Sequence, residues 1–190
     1  MAIAVFGGRF DPIHIGHLII AQDLLEILNV KKVVFLLSHN PPHKKVFSSF
    51  EDRLEMIRIS IKNSEKFEVW DIEKSLNLEK SYSYIVLSKI LEVVNDKIYF
   101  VIGSDQFENF KTWYKYEDIL RIVEVIVVQR PYINYNYPED LLLKVKILNN
   151  RIIEISSSEI RKRIREAKEY RFFVPEGVYE YIERNKLYRY

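Results

Sequence analysis

AVFGGRFDPIHIGHL, Ala4–Leu18, sets an apolar run of β type against a Gly-Gly pair, an Asp-Pro and two histidines three residues apart. In open α/β sheets ligands gather at the carboxyl ends of the strands, and the first strand-to-helix turn is the usual place. Gly7 and Gly8 fall at that turn, where the missing Cβ lets backbone N–H groups approach a ligand closely. Pro12 stiffens the path into a helix that should begin near Ile15, and the free N–H groups and positive dipole end of that helix favour an anion. His14 and His17, on one face of the first turn, point toward the same place. The constellation reads as a site for phosphate. It is neither G-x-x-x-x-G-K-[ST] nor G-x-G-x-x-G, so two imidazoles would take the place of a lysine or of bare backbone.

The same alternation continues outward from this stretch. Apolar strand runs are expected at 3–6 (IAVF), 33–37 (VVFLL), 67–70 (FEVW), 98–102 (IYFVI), 124–128 (EVIVV) and 152–155 (IIEI). Between and after them lie helical patterns: HIGHLIIAQDLLEIL, FEDRLEMIRISI, YSYIVLSKILEVV, TWYKYEDILRIV and SSSEIRKRIREAK. Strand alternating with helix predicts an α/β fold, a Rossmann-like, doubly wound and mostly parallel sheet with helices on both faces. The uniformly apolar strands agree with burial on both sides. Two stretches interrupt the rhythm as exposed loops, SHNPPHKKVFSS (38–49) and RPYINYNYP (130–138). The ending, VPEGVYEYIERNKLYRY, has apolar positions at Val178, Tyr181, Ile182 and Leu187, which predict a short helix docked on the sheet.

Composition sets the bounds. At 190 residues the chain suits one domain with a core of its own, and no linker or repeat divides it. It has no cysteine, which removes disulfides, thiolate catalysis and Cys-ligated zinc together, so the chemistry must come from oxygen, nitrogen and charge. A formal net charge of +2 with both signs interspersed announces no nucleic-acid surface. No run approaches the ~18 apolar residues of a membrane span, and the start, MAIAVFGG, carries no basic region of a secretory signal. The expectation is a cytoplasmic protein without nucleic-acid or membrane partners; a homo-oligomer is compatible with the sequence, which does not specify one. Richness in Lys, Glu, Ile and Tyr fits heat adaptation as well as an AT-rich genome.

A second motif supports the first. SSSEIR, Ser156–Arg161, places hydroxyls at a helix N-terminus, where they cap the helix and reach phosphate, and puts the planar guanidinium of Arg161 one turn in. GGRFDPIHIGHL together with this Ser-x-[Ser/Thr]-x-x-Arg pattern resembles the nucleotidyltransferases that share an H-x-G-H motif with class I aminoacyl-tRNA synthetases. Three further stretches narrow the resemblance: NPPHK (40–44), SYS (81–83) and IGSDQFENFKTWYKYEDIL (102–120). With the ending they resemble the bacterial-type nicotinate mononucleotide adenylyltransferases from end to end.

The resemblance implies a single nucleotidyltransferase domain over 1–190, with 175–190 a C-terminal helical tail, and adenylyl transfer from ATP, carried with Mg²⁺, to nicotinate mononucleotide. It implies that His14, His17 and Arg161 are the catalytic residues, on the ATP phosphates. Gly7, Gly8, Gly103, Asp105, Ser158 and Lys44 would bind ATP, Asp105 accepting from ribose hydroxyls or capping a helix. Trp113, Tyr114, Ser83, Tyr84, Arg130 and Arg9 would bind the pyridine mononucleotide, with the Trp113 indole as the stacking platform. No protein metal site is implied. Arg9 departs from the family, which commonly has Thr or Ser there. Two alternatives stay open on the residues alone: another adenylyltransferase of the superfamily, acting on pantetheine phosphate, and a nucleotide-binding sensor without turnover.

Overall fold

A computed structural model of the chain describes residues 2–39, 46–76, 80–130 and 136–190. Six strands, β1 (Ala2–Gly8), β2 (Lys32–Leu37), β3 (Phe67–Trp70), β4 (Lys97–Gly103), β5 (Glu124–Val128) and β6 (Lys146–Leu148), form one sheet in the order β3-β2-β1-β4-β5-β6. Every neighbouring pair is parallel. The helices are α1 (Ile15–Leu28), α2 (Phe50–Ile61), α3 (Ile72–Ser75), α4 (Ser83–Val93), α5 (Ser104–Phe107), α6 (Tyr116–Ile122), α7 (Ser157–Arg165) and α8 (Glu176–Asn185). Strand order reverses between β1 and β4, and the crevice beyond their carboxyl ends is the place where such a sheet binds a ligand.

Successive residues of a strand face opposite sides, so a strand buried on both sides must be apolar throughout. Ala4 and Phe6 of β1 join Val33, Phe35 and Leu37 of β2 in a core closed by α1, α2, α7 and α8. Ile3 and Val5 join Val34, Leu36, Phe100 and Ile102 in a second core, closed by α4 and α6. The expected double layer of helices is present, and the sheet is wholly rather than mostly parallel. Arg53 of α2 is buried at the strand ends, where its Nη1 donates to the carbonyls of Arg9 (3.1 Å) and Ser38 (2.7 Å). A buried cation needs such partners, and here they tie the exits of β1 and β2 together.

Three expectations are corrected. Residues 152–155 do not form the last strand, which is the shorter β6 at Lys146–Leu148. Beyond Leu148 side chains replace the backbone ladder. Asn150 Oδ1 accepts from the Gln129 N–H (2.8 Å), Gln129 Nε2 donates to the Leu148 carbonyl (2.8 Å), and the Arg151 N–H donates to the Asp23 carboxylate (2.7 Å). The pattern TWYKYEDILRIV becomes helical only from Tyr116, because Lys115 takes a left-handed φ of 53° and Trp113 is extended after a 3-10 turn at Phe110–Thr112. The tail docks chiefly on α2 rather than directly on the sheet: Val178 and Ile182 are buried, and Tyr181 Oη donates to Asp52 at 3.0 Å. Among the described residues no helix is long and apolar enough to cross a membrane.

Candidate active site

The carboxyl ends of β1, β4 and β5 open into a cleft of about 610 Å³. Its walls hold Gly7 and Gly8 at the end of β1, Arg9, His14 and His17 from the turn and helix that follow, Gly103 at the end of β4 with Asp105 beyond it, Arg130 after β5, and Ser158 and Arg161 of α7. The sheet order makes neighbours of stretches more than a hundred residues apart in the chain. Phe10, at a left-handed φ of 47°, turns the chain so that its ring meets His17 edge-on with centroids 5.0 Å apart.

His14 and His17 stack, with ring centroids 3.6 Å apart and planes 25° from parallel. The His14 backbone N–H donates to His17 Nδ1 (3.2 Å), which closes the first turn of α1 and fixes a tautomer: a neutral His17 carries its proton on Nε2. Burial, and secondarily the Arg130 charge, holds His14 down at about 3; burial, the neighbouring His14 and Arg130 push His17 well below the ordinary range. Both imidazoles are therefore neutral at physiological pH. His14 Nδ1 is buried without a hydrogen-bond partner among the described residues. Gly16 is dictated by this packing, since a Cβ there would lie 3.0 Å from His14 Nδ1 and 3.2 Å from Ile153 Cγ2.

The turn before α1 is gripped by α7. Ser156 caps α7 by accepting from the Glu159 N–H (3.1 Å), Ser157 Oγ donates to the Pro12 carbonyl (2.9 Å), and Arg161 Nη1 donates to the Asp11 carbonyl (2.6 Å). Arg161 Nη2 also donates to Ser158 Oγ (3.2 Å), and the guanidinium lies 4.0 Å from the centre of the Phe47 ring. Burial lowers the Arg161 pKa, and its Nε has no partner among the described residues. On the opposite wall Asp105 Oδ1 and Arg130 Nε are 3.4 Å apart. A Cβ at Gly103 would sit 2.5 Å from that Asp105 oxygen, so only glycine admits the carboxylate so close to the strand end. Gly103, not Asp105, is the N-cap residue of α5, and its N–H donates to Gln106 Oε1 (3.0 Å). The capping role expected for Asp105 is thus not the one it has, and its carboxylate faces the cleft and Arg130.

The remaining residues named from the sequence lie elsewhere. Trp113 packs against Phe110 and Phe100 (centroids 5.2 and 6.4 Å) at the second core. Tyr114 meets Tyr82 and Tyr84 (5.0 and 6.3 Å), and Lys115 Nζ lies 4.7 Å from the Tyr84 ring centre, beside Ser83 at the start of α4. None of Trp113, Tyr114, Ser83 and Tyr84 lines the cleft. The two regions meet at Phe100, whose ring edge lies 3.4 Å from where a Cβ of Gly7 would be. Lys44 falls outside the described residues. Sequence reasoning passed over Gln106 and the cleft-lining Ile153 and Ile155, which the mistaken strand at 152–155 hid, and it gave no role to Asp11, although the Asp-Pro pair was in plain view.

Residues 5–163 match the family model described as Cytidylyltransferase-like. A protein of Thermotoga petrophila named "Probable nicotinate-nucleotide adenylyltransferase" is 37% identical over 187 residues, covering 95% of this chain and 94% of its own. One of the same name from Caldicellulosiruptor saccharolyticus is 39% identical over 197 residues and covers both chains completely. Among solved structures, Plasmodium falciparum nicotinic acid mononucleotide adenylyltransferase complexed with NaAD superposes with a TM-score of 0.81 at 24% identity, over 98% of this chain and 97% of that one. The same enzyme complexed with APC gives 0.78 at 23% identity, over 98% and 96%. With the paired histidines, the SSSEIR helix and the Gly103–Asp105 turn converging on one cleft, and with that similarity running nearly end to end, the chain belongs to the cytidylyltransferase-like family and, within it, to the nicotinate-nucleotide adenylyltransferases.

Proposed function

We propose that the protein transfers the adenylyl group of ATP to nicotinate mononucleotide, giving nicotinate adenine dinucleotide and pyrophosphate, a step of NAD biosynthesis. The observation that carries the reading is the stacked, neutral His14–His17 pair facing Arg130 and Arg161 across one cleft. In the reaction a phosphate oxygen of the mononucleotide attacks the α-phosphorus of ATP. The bond from that phosphorus to the bridging oxygen breaks, and pyrophosphate leaves with the electron pair. A phosphate monoester is already anionic at neutral pH, so no strong base is needed; positioning and charge stabilisation do the work.

The residues divide that work by chemistry. A neutral imidazole donates one N–H, so His17 through Nε2 and His14 through one of its nitrogens hydrogen-bond the phosphates without adding charge. The cationic share falls to Arg161 and Lys44, with Ser158 as a further donor, while Arg9 meets the mononucleotide. Gly7 and Gly8 bring backbone to the phosphates, while Gly103 and Asp105 receive the adenosine. Trp113 stacks the pyridine ring, Ser83, Tyr84 and Tyr114 surround its carboxylate, and Arg130 reaches the ribose or phosphate between the two sites. This requires the mononucleotide to reach from the cleft to the aromatic corner around Gly7 and Phe100, which pack against each other between the two. Mg²⁺ would come with ATP as part of the nucleotide substrate and would supply positive charge to its triphosphate. The lack of cysteine supports a reducing, cytoplasmic setting.

Pyrophosphate release tests the reading. ATP with nicotinate mononucleotide should release it rapidly. Turnover with phosphopantetheine alone would assign a different acceptor, and no release with any acceptor would leave a nucleotide sensor.

A further inference from the structure

Asp11 is almost completely buried, yet it lies between the strand and helix that frame the cleft. Among the described residues its carboxylate accepts three hydrogen bonds. Two come from the segment before α2: the Phe47 N–H to Oδ2 (2.7 Å) and Ser48 Oγ to Oδ1 (2.7 Å). The third comes from the far end of the chain, where Tyr188 donates its hydroxyl to Oδ1 at 2.8 Å. Ser48 Oγ and Tyr188 Oη are themselves 2.9 Å apart, so the two hydroxyls and the carboxylate oxygen form a closed triangle. Tyr188 is 6% exposed and takes a left-handed φ of 63°, the backbone turn that aims its ring inward from the last residues of the chain. The main-chain carbonyl of the same Asp11 is the acceptor for Arg161.

From this geometry we infer that Tyr188 is a positioning residue of the adenylyl-transfer site, acting through Asp11 on His14 and Arg161. Asp11 is the junction. Its side chain is held by the tail and by Ser48, its carbonyl orients the Arg161 guanidinium, and three residues later the chain delivers His14. An aspartate buried this deeply needs its donors. With the Tyr188 donor gone, that carboxylate oxygen keeps Ser48 as its one hydroxyl partner among the described residues, and the turn can settle in other positions. Catalysis that depends on aligned donors is sensitive to displacements of about 1 Å, so the loss is expected in the chemical step before it is felt in the fold. The inference rests on the adenylyl-transfer reading.

The test is Tyr188→Phe, which keeps the buried ring and removes only the hydroxyl, beside Tyr170→Phe. Tyr170 is equally buried, and it bonds Glu183 of α8 (2.7 Å) without touching the turn. Tyr188→Phe is expected to lower kcat about tenfold or more and to weaken ATP binding in calorimetry, with KM for the mononucleotide within twofold; Tyr170→Phe should lower Tm and leave kcat within twofold. Ser48→Ala, which removes the other donor to the same oxygen, should lower kcat in the same direction, and it carries the test if Tyr188→Phe does not fold. An unchanged kcat in whichever of these variants folds would overturn the inference, as would an equal loss in Tyr170→Phe. A wild-type protein that releases no pyrophosphate would instead refute the adenylyl-transfer reading, in which case the effect on ATP affinity alone decides whether Tyr188 orders the cleft.

Discussion

His14 and His17 read in sequence as two imidazoles for a polyphosphate, and burial decides in which protonation state they meet it. With His14 held at about 3, and His17 also well below the ordinary range, each serves as a neutral donor, the second with its tautomer set by the backbone of the first. Replacing either by alanine should cut single-turnover adenylyl transfer by about a hundredfold or more, the usual cost of a preorganised donor to developing negative charge. The fold should survive, because the imidazoles are held by the turn more than they hold it. Near-wild-type rates in both variants would remove the histidines from the phosphate site. The same burial has a consequence for stability. An unfolded chain protonates His14 near 6.5 and the folded one only near 3, so the stability tied to its neutral form is full above pH 6.5 and drains away as pH falls toward 3.

At the scale of elements, one short helix brings a buried carboxyl to the edge of the sheet. The four-residue α3 places Glu73 under the exit of β2, where its carboxylate accepts from the His39 N–H (2.8 Å) and burial pushes its pKa up to about 6 from an ordinary 4.5. The folded state then holds this proton more tightly than the unfolded one. The stability contributed is fully present below pH 4.5 and is lost as pH rises through 6, opposite in sign to the histidine effect. Glu73→Gln keeps a carbonyl oxygen for His39 and cannot ionise. It should gain on the order of 2 kcal/mol over wild type at pH 8 and nothing at pH 4, which urea titrations at the two pH values would measure. Equal differences at both would mean that ionisation of Glu73 is not what costs stability.

At the scale of the molecule, the proposed function sets the two substrates in different layers: the nucleotide in the cleft, the pyridine ring at the aromatic corner over the second core. Trp113→Ala should therefore separate them, raising KM for the mononucleotide about tenfold, a stacking loss of roughly 1–3 kcal/mol, with KM for ATP within twofold. Because Trp113 also packs on Phe100 and Phe110, a melt must accompany the kinetics, and a parallel rise in both KM values would return the indole to a purely structural role. If the ring carboxylate is met by backbone N–H groups near Tyr84 and Tyr114, the pocket offers donors only. The amide of nicotinamide mononucleotide would then face donor with donor, at on the order of 1–3 kcal/mol for each unpaired group, and the acid should be preferred about a hundredfold or more in kcat/KM. Comparable values in a competition assay would refute this pocket.

Much of this was written in local order. The apolar runs of β1 to β5, the start of α1 beyond Pro12 and the Ser156 cap of α7 follow from neighbours within a few positions, because side-chain periodicity and helix capping are short-range physics. The H-x-G-H turn and SSSEIR were legible for the same reason. What the chain order could not show is contact between distant segments. Gln129 and Asn150 end β6 early by lending side chains to the ladder, so the apolar residues at 152–155 become a cleft wall instead of a strand. Trp113 faces Phe100 because the 3-10 turn at Phe110–Thr112 brings the chain back over β4, and Asp11 meets a tyrosine 177 positions away because α8 packs on α2. Those placements, and the neutrality of two histidines that burial chiefly imposes, belong to the tertiary structure, since burial and long-range pairing are properties of the packed molecule and of no segment within it.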